Sequence, residues 1–333
     1  MARIFVAGAG GWGTALGLMT LRYGHEVTLW SPFEEEIAAI RRDQEHKKLL
    51  PGVPVPETMG LTTSLADAAG ADLVILAVPS FAVEQTARGL APVLDGRTVV
   101  ANAGKGLQND SLKRFSEVIG EAIPGCPVVA LSGPSHAEEV ARGIPTAVVS
   151  ASADRVAAEK VQGWLMNPRF RVYVNPDIIG VELGGALKNV IALAAGILDG
   201  MRQGDNTKAA LVTRGLAEMA RLGAAMGAQA DTFAGLSGLG DLMVTCNSMH
   251  SRNRRAGILI GQGFSAAEAV AQVGTVEGYL ASEAAWRLGQ RYKVELPIIE
   301  ECYHICYQGL AAEEAVRRLM ERPRRWEQDF SWT

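Results

Sequence analysis

Gly8-Ala9-Gly10-Gly11-Trp12-Gly13 follows a short apolar run at the start of the chain and leads into a helical pattern. The spacing is G-x-G-x-x-G, in which Gly8 allows a tight turn, Gly10 lets the backbone approach a pyrophosphate and Gly13 permits close helix–strand packing. The helix that begins here offers free N–H groups and the positive end of its dipole to phosphates. We therefore interpret the segment as a dinucleotide-binding turn, with a purely structural glycine-rich turn as the alternative.

Short β-rich runs alternate with helical patterns through the first half of the chain. The predicted strands cover residues 4–7, 27–30, 73–78, 98–101, 128–131, 146–149 and 171–174. The predicted helices between them cover residues 14–23, 34–42, 81–90 and 155–166. Buried apolar strands that are separated by crossover helices indicate a mostly parallel, doubly wound sheet.

The strand signal stops after Asn175-Pro176-Asp177, and the chain then has helical periodicity to about residue 320. Asp177, which directly follows a proline, is expected to be the N-cap of the first of these helices. The sequence thus predicts two domains. Residues 1–176 form an α/β Rossmann-type domain that binds NAD(P), and residues 177–333 form an all-α domain that carries the substrate and catalytic site.

The length and composition agree with two globular domains. The chain has 333 residues, which is more than one compact core usually holds. Hydrophobic residues make up 48% and charged residues 20%, as in ordinary globular proteins. The formal net charge of −4 argues against a nucleic-acid partner, which needs a basic face, but it permits a local cationic pocket for a small anion.

No targeting or membrane segment is expected. The apolar run near the N-terminus is too short for a secretory signal, and no stretch looks long and apolar enough to span a bilayer. The four scattered cysteines favour reduced thiols in a cytoplasmic protein. Cys302 and Cys306 have the i,i+4 spacing of a metal-ligand pair, but no second pair lies nearby. We therefore predict thiols on an apolar helix face and no metal site.

Cofactor choice is expected to depend on Ser31-Pro32-Phe33-Glu34-Glu35, which follows the second predicted strand. An acidic residue near this point binds the ribose 2′-OH of NAD, whereas an arginine accommodates the 2′-phosphate of NADP. The segment is acidic and contains no cation, so it favours NAD(H). The alternative is a site for a 2′-phosphate, in which Ser31 donates a hydrogen bond and Arg41 or Arg42 folds back from the next helix. Alternatively, Glu34 sits in the first turn of the next helix and only complements the helix dipole.

Two lysines stand in segments that are typical of ligand sites. Lys105 lies between two glycines directly after a strand, where open α/β sheets bind ligands; the alternative is a surface turn. Lys188 follows Gly184-Gly185 by one turn on a predicted helix with one apolar stripe. Two mid-helix glycines cost about 1 kcal/mol each. We expect this loss of helix stability to be offset in one of two ways: by a ligand that lies close to the backbone, or by tight helix packing beside a solvated lysine.

A third polar segment contains Gly240-Asp241-Leu242 and Thr245, and Ser251-Arg252-Asn253-Arg254-Arg255 follows it. Ser251 is expected to cap a helix that begins at Arg252. Arginines are unfavourable at a helix N-terminus, because the dipole repels cations there. Three of them indicate that an anion such as a phosphate binds at this end, with a solvated basic turn as the alternative.

The chain resembles the NAD(P)-dependent glycerol-3-phosphate dehydrogenases of the soluble bacterial type over nearly its whole length. The matching motifs, in chain order, are residues 8–13, Leu50-Pro51-Gly52, residues 103–107, Ser132-Gly133-Pro134-Ser135, residues 184–189, Gly240-Asp241-Leu242 with Thr245-Cys246, and Ser251-Arg252-Asn253-Arg254. The resemblance implies a Rossmann domain, a helical domain like the C-terminal domain of 6-phosphogluconate dehydrogenase, and a homodimer. It also implies reversible hydride transfer between NAD(P)H and dihydroxyacetone phosphate, which gives sn-glycerol 3-phosphate for glycerophospholipid synthesis.

Roles for individual residues follow from the same resemblance. Lys188 is implied as the catalytic acid/base, with Lys105 and Asp241 at the reacting centre. The implied substrate-binding residues are Lys105, Gly133, Ser135, Lys188, Asn189, Asp241, Thr245, Ser251, Arg252 and Asn253. The cofactor-binding residues, from the glycine-rich turn and the resemblance together, are Gly8, Gly10, Gly11, Trp12, Gly13, Ser31, Lys105, Ala137, Arg252 and Glu277. Many bacterial members carry an arginine or histidine after the second strand, where this chain is closer to the NAD-specific eukaryotic pattern.

The implied reaction gives the charged residues distinct tasks. Negative charge develops on the ketone oxygen as hydride adds to its carbon, and an ammonium group at Lys188 would stabilise that oxygen and deliver the proton. Asp241 would keep Lys188 oriented and protonated, while Arg252 would anchor the phosphate away from the reacting carbon. Two alternatives are a β-hydroxyacid or ketopantoate-type reductase of the same architecture and a non-catalytic NAD(H)-sensing protein.

Overall fold

A computed structural model describes residues 1–324 and 327 of the chain. The end of the predicted second domain, residues 325, 326 and 328–333, lies outside the described residues. The first half is an α/β layer structure, and the second half is helical.

The described residues contain one sheet of eight strands in the order β3-β2-β1-β4-β5-β6-β7-β8. These strands are β1 (Arg3–Ala7), β2 (Glu26–Trp30), β3 (Gly60–Thr62), β4 (Leu73–Leu76), β5 (Val99–Asn102), β6 (Val128–Ser132), β7 (Thr146–Ala151) and β8 (Phe170–Asn175). All neighbours are parallel except β6 and β7. All seven predicted strands are present. Strand β3 was not predicted, because it has only three residues and begins with a glycine.

Helices cover both faces of the sheet. They are α1 (Gly11–Arg22), α2 (Glu34–Asp43), α3 (Val83–Leu90), α4 (Phe115–Ala122), α5 (Ala137–Ala141) and α6 (Arg155–Leu165). Alternate side chains of β1 enter different cores: Ile4 and Val6 join one apolar cluster, and Phe5 and Ala7 join another. Burial on both faces is why a central strand such as β4 is continuously apolar. The predicted doubly wound sheet is confirmed, although α4 and α5 were not predicted.

The described residues after β8 contain helices and turns but no strand. The helices are α7 (Ile178–Gly200), α8 (Asp205–Ala225), α9 (Ala230–Phe233), α10 (Asp241–Asn247), α11 (Arg252–Gly261), α12 (Ala266–Val273), α13 (Glu277–Tyr292), α14 (Pro297–Gln308) and α15 (Ala312–Met320). Asp177 caps α7 as predicted, because its Oδ1 accepts a hydrogen bond from the Gly180 N–H at 2.9 Å.

Helix α7 is the central element of the helical half. We predicted a single apolar stripe along it, and this was wrong, because nearly every residue from Gly180 to Leu198 is buried. Other helices surround it, including α8, α11 and α13. It has 23 residues, and an 18-residue window within it has a mean hydropathy of 1.6, so it is long and apolar enough to cross a membrane, contrary to our expectation. However, 83% of that apolar window is buried inside the fold, as in the core helix of a globular protein.

Candidate active site

The glycine-rich turn joins β1 to α1 at the carboxyl edge of the sheet. Gly8 has φ = +125°, and a Cβ there would lie 2.6 Å from the carbonyl oxygen of Ala77. A Cβ on Gly13 would overlap the carbonyl oxygen of Gly8, whereas a Cβ on Gly10 would meet no heavy atom within 4 Å. The turn therefore needs Gly8 and Gly13 for its own packing, while the space beside Gly10 is open to a ligand.

Strands β2 and β4 lie on either side of β1, so the strand order reverses at this turn. Crevices at such a switch point are where open α/β sheets bind ligands. A Cβ on Gly11 would lie 3.8 Å from the Cβ of Ala137, at the start of α5. The structure thus brings together two of the predicted cofactor segments, residues 8–13 and the loop before Ala137.

The end of β2 differs from what the sequence suggested. Glu34 and Glu35 are exposed in the first turn of α2, and neither turns back to the strand. Glu36, in contrast, turns back to the end of β2. The buried hydroxyl of Ser31 donates to Glu36 Oε2 at 2.5 Å, and His46 Nε2 lies 3.4 Å from Glu36 Oε1. Ser31 therefore uses its hydroxyl within the protein, and the acidic residue at this point is Glu36, which was not in our set.

Three predicted residues of the reacting centre meet in one buried cluster. Lys188 on α7 is 5% exposed, and its Nζ donates to Asp241 Oδ1 and to Thr245 Oγ1, both at 2.7 Å. Lys105 Nζ donates to the other carboxylate oxygen, Asp241 Oδ2, at 2.8 Å. One carboxylate thus holds two ammonium groups side by side. Because Lys105 belongs to the sheet half and Lys188 to the helical half, this cluster joins the two halves.

Lys105 also contacts two of the predicted substrate residues. Its Nζ donates to the carbonyl oxygen of Gly133 at 2.8 Å and lies 3.2 Å from Ser135 Oγ. Gly133 has φ = +136°, and a Cβ there would lie 3.0 Å from the Val148 backbone. The loop after β6 consequently takes a path that only glycine permits, and this path places its carbonyl against Lys105.

The charges of the cluster shift each other's protonation. Burial lowers the pKa of Lys188 to about 8, although Asp241 opposes this and Lys105 adds to it. Burial alone would raise the pKa of Asp241, but the attraction of Lys105 and Lys188 outweighs it, so this pKa lies below its ordinary value. The cluster therefore contains a carboxylate and a lysine that titrates close to neutral pH, which suits proton transfer.

Asn189 and Asn253 form a chain of amides beside the lysines. Asn189 Nδ2 donates to the carbonyl oxygen of Lys105 at 3.0 Å, and Asn253 Nδ2 donates to Asn189 Oδ1 at 2.8 Å. Asn253 Oδ1 in turn accepts from the Gly278 N–H at 2.8 Å. These hydrogen-bonded amides fix the backbone that carries Lys105 relative to α7, α11 and α13.

The start of α11 is capped as predicted, because Ser251 Oγ accepts from the Arg254 N–H at 3.2 Å. The three arginines are not equivalent, however. Arg254 Nε binds Asp199 at 2.7 Å, so our inclusion of Arg254 in an anion site was wrong. Arg252 is exposed and makes no hydrogen bond or ion pair within the described part of the chain. Its guanidinium is consequently available to an anion, as is that of exposed Arg255.

Tight packing explains the paired glycines of α7. A Cβ on Gly184 would lie 2.7 Å from the carbonyl oxygen of Ser237, and a Cβ on Gly185 would lie 2.9 Å from Ser132 Oγ. Neither position is open to a ligand, so the packing alternative is confirmed. Lys188 is buried rather than solvated, which corrects the other part of that alternative.

Several buried polar atoms around this cleft have no hydrogen-bond partner among the described residues. Four of them are Trp12 Nε1, Ser132 Oγ, His136 Nε2 and Glu277 Oε2. Buried polar groups normally have partners, so these atoms fit a site that receives a polar ligand. Glu277 Oε1 accepts from the Ser80 N–H at 3.2 Å, which places this predicted cofactor residue against the loop after β4.

Three ring side chains near the glycine-rich turn and the lysine cluster were not in the predicted set: His136, Phe33 and Phe81. Burial lowers the pKa of His136, with Lys188 adding to the effect, and its ring centroid lies 5.5 Å from that of His250, beside α11. Phe33 and Phe81 are 66% and 75% exposed on the loops after β2 and β4. The sequence signal for the two phenylalanines was an aromatic residue in a loop between a strand and a helix.

The described residues contain no cluster of three or more His, Cys, Asp or Glu side chains suited to a metal ion.

Two family models together match most of the chain. The model for the N-terminus of NAD-dependent glycerol-3-phosphate dehydrogenase matches residues 3–158, and the model for its C-terminus matches residues 177–317. The chain belongs to the NAD-dependent glycerol-3-phosphate dehydrogenase family. This confirms the resemblance inferred from the motifs, and the family's two-part architecture agrees with the predicted fold class.

Similar proteins cover nearly the whole chain. The glycerol-3-phosphate dehydrogenase (NAD(P)+) of Moorella thermoacetica is 55% identical over 324 residues, which are 96% of each chain. That of Desulfitobacterium hafniense is 49% identical over 98% of this chain and 93% of its own. The solved glycerol-3-phosphate dehydrogenase of Coxiella burnetii superposes with a TM-score of 0.93 at 38% identity, covering 96% of this chain and 99% of that one.

Proposed function

We propose that this protein is an NAD(P)-dependent glycerol-3-phosphate dehydrogenase that reversibly reduces dihydroxyacetone phosphate to sn-glycerol 3-phosphate. The observation that carries the proposal is the buried Lys188–Asp241–Lys105 cluster at the carboxyl edge of a dinucleotide-binding sheet, in a chain of this family. The residue roles below are parts of the same proposal.

Cofactor binding is assigned to the turn at residues 8–13, with Trp12, Ala137 and Glu277. The N–H groups at the start of α1 would hold the pyrophosphate, and the exposed rings of Phe33 and Phe81 would offer apolar surfaces to the adenine. When bound, the nicotinamide supplies the hydride that this chemistry requires. The protein itself has to orient the substrate and handle one proton.

Lys188 is assigned the proton. Its Nζ donates to the ketone oxygen of the substrate, stabilises the charge that develops there and then gives up a proton to form the C2 hydroxyl. Asp241 and Thr245 fix Nζ in place through two hydrogen bonds of 2.7 Å. Lys105, which the same carboxylate holds, adds a second positive charge. In the reverse direction neutral Lys188 accepts the hydroxyl proton.

The activity is tested by mixing the purified protein with NADH and dihydroxyacetone phosphate and following the loss of NADH absorbance. 2-Ketopantoate and a β-keto acid serve as comparison substrates. Turnover of dihydroxyacetone phosphate alone is the expected result. Turnover of 2-ketopantoate instead would favour the reductase alternative, and NADH binding without turnover of any substrate would favour the sensor.

Replacing Arg252 by alanine is expected to raise KM for dihydroxyacetone phosphate. Arg252 is the exposed guanidinium at the start of α11, where helix N–H groups and the dipole also favour a phosphate. Losing a hydrogen bond to a charged group costs about 1.5–3 kcal/mol, which corresponds to roughly 10- to 150-fold in KM. Steady-state kinetics of the variant measure this effect.

The comparison variant is Arg255→Ala, which removes the other exposed arginine of the same turn of α11 and should raise KM less, because the family resemblance implies Arg252 and not Arg255 as a substrate residue. Unphosphorylated dihydroxyacetone should be a poor substrate of the wild type and should lose little further rate in Arg252→Ala. Equal losses with the two substrates would mean that Arg252 acts on the cofactor or on the fold rather than on the phosphate.

The rate of ketone reduction should fall as the pH rises through about 8. Reduction needs protonated Lys188, whose pKa burial lowers to about 8, while glycerol 3-phosphate oxidation needs the neutral amine and should accelerate over the same range. The substrate phosphate titrates near pH 6, so kcat/KM should be compared above about pH 7. Profiles that stay flat, or that move together in both directions, would remove Lys188 from the proton transfer.

Three further features belong to this proposal. The domain boundary lies between β8 and α7, near residue 176, where the two family models also leave a gap. A cytoplasmic location is supported by four buried cysteines that are all free thiols. The homodimer implied by the family resemblance stays a prediction.

A further inference from the structure

The end of β2 carries a small polar network whose purpose the fold alone does not explain. Ser31 follows β2, and its N–H donates to the carbonyl oxygen of Thr62 on β3, so its position is fixed by the sheet. Its hydroxyl donates to Glu36 Oε2 at 2.5 Å. The carboxylate of Glu36 is thereby pulled back from α2 to the carboxyl edge of the sheet.

A second side chain lies close to the other oxygen of the same carboxylate. His46, which is 5% exposed, places Nε2 at 3.4 Å from Glu36 Oε1. The pKa of Glu36 is lowered chiefly by this histidine, against the opposing effect of burial, and Ser31 contributes as well. Glu36 is thus a fixed, ionised carboxylate whose side chain keeps 28% of its surface accessible.

The position of this carboxylate matches a specific chemical task. In a dinucleotide-binding sheet the adenosine ribose lies at the end of the second strand, where an acidic side chain accepts hydrogen bonds from its 2′-OH. That acidic residue usually stands at the strand end itself. Here the strand end is the neutral Ser31, and the only nearby carboxylate that returns to it in the described structure is Glu36.

We infer that Glu36, held by Ser31 and lying beside His46, binds the adenosine ribose hydroxyls and sets the preference of this enzyme for NAD(H) over NADP(H). The inference rests on the proposed function only in that it assigns the nucleotide site to the glycine-rich turn. A 2′-phosphate carries up to two negative charges, so a fixed carboxylate at this point repels it. The same carboxylate accepts a hydrogen bond from a 2′-OH.

Glu36 also lies near a cation that could otherwise hold a 2′-phosphate, because Lys48 attracts its carboxylate through space. Removing the charge of Glu36 should therefore do two things at once: weaken NADH binding through a lost ribose contact, and leave Lys48 free for a 2′-phosphate.

The test compares Glu36→Gln with Glu34→Gln and Glu35→Gln, which remove charges from the same helical turn at exposed positions. Two quantities are measured for each protein: the ratio of kcat/KM for NADPH to that for NADH, and the Kd of each cofactor from fluorescence titration without substrate. Ser31→Ala is a second variant, which removes one anchor of the carboxylate without changing its charge.

The wild type should prefer NADH. Glu36→Gln should raise the NADPH/NADH ratio about 10- to 100-fold, as expected for one charge-assisted hydrogen bond. Ser31→Ala should shift the ratio in the same direction by less, and the two control variants should stay within about threefold of wild type.

Three results would overturn the inference: a wild type that prefers NADPH tenfold or more, a Glu36→Gln ratio within threefold of wild type, or an equal shift in Glu34→Gln or Glu35→Gln. If Glu36→Gln does not fold, the Kd ratio of Ser31→Ala decides instead, and an unchanged ratio overturns it. A wild type that binds NADH preferentially but does not turn over dihydroxyacetone phosphate would overturn the proposed function and leave this inference standing.

Discussion

Replacing Lys188 by alanine should yield a folded protein that binds NADH but reduces dihydroxyacetone phosphate about 100- to 10,000-fold more slowly, which is the usual worth of general acid catalysis. Lost stabilisation of the ketone oxygen should add to this. The fold should survive, because Asp241 still has Lys105 at 2.8 Å and is not left as an unpaired buried charge. Steady-state kcat and an NADH titration measure the two effects.

Lys208→Ala is the matched control for this experiment. Lys208 is also a lysine that pairs with an aspartate of the helical half, since its Nζ lies 3.0 Å from Asp199, but it has no contact with the buried cluster. It should retain wild-type turnover. A Lys188→Ala protein that keeps more than about a tenth of normal turnover would show that another group delivers the proton.

Asp241→Asn is expected to destabilise the protein by about 3–5 kcal/mol, because it leaves two ammonium groups in a buried site without their shared countercharge. Asp241 is 1% exposed and binds Lys105 and Lys188 through separate oxygens. The variant should also bring the pKa of Lys188 further down, since the attraction of Asp241 is what opposes burial. Denaturant unfolding at neutral pH measures the free energy, and kcat should fall together with it.

The chain offers a close control for this substitution. Asp199 also holds two cations, Lys208 at 3.0 Å and Arg254 at 2.7 Å, but its side chain is 22% exposed. Asp199→Asn should cost only about 1 kcal/mol, because solvent screens the charges that remain. If both variants lose the same stability, the buried cluster is not special. A Lys105→Met change added to Asp241→Asn should recover part of the loss, because it removes one uncompensated charge.

The fold was predictable because its strongest signals are local. Seven short runs rich in apolar and β-branched residues and one glycine-rich turn specify the sheet, and the proline before Asp177 marks the change to helices. Strand β3 has no such signal, since a run of three half-buried residues is short for any periodicity. The burial of α7 on all sides could not be predicted from local patterns either, because it depends on helices that come far later in the chain.

The candidate site was predictable where motif and resemblance agree, as for Lys188 and Asp241, which meet although 53 positions separate them. Local sequence patterns did not predict the partner of a side chain when that partner is set by the three-dimensional packing. Three adjacent glutamates look alike in sequence, yet only Glu36 finds Ser31 and His46. Likewise, the partner of Arg254 lies 55 residues away, so its neighbour Arg252 could not be distinguished from it beforehand.

The same central helix constrains how the chain is made. Helix α7 leaves the ribosome as 23 mostly apolar residues, and the helices that cover it follow as far as α14, which ends at Gln308. Synthesis at about 5–20 residues per second means that roughly 5–20 s pass between the completion of α7 and that of its last partner. Throughout that interval the most apolar segment of the nascent protein lacks its native cover. The order of helices along the chain, and not only their final packing, thus determines how long this surface is open to chaperones and to aggregation.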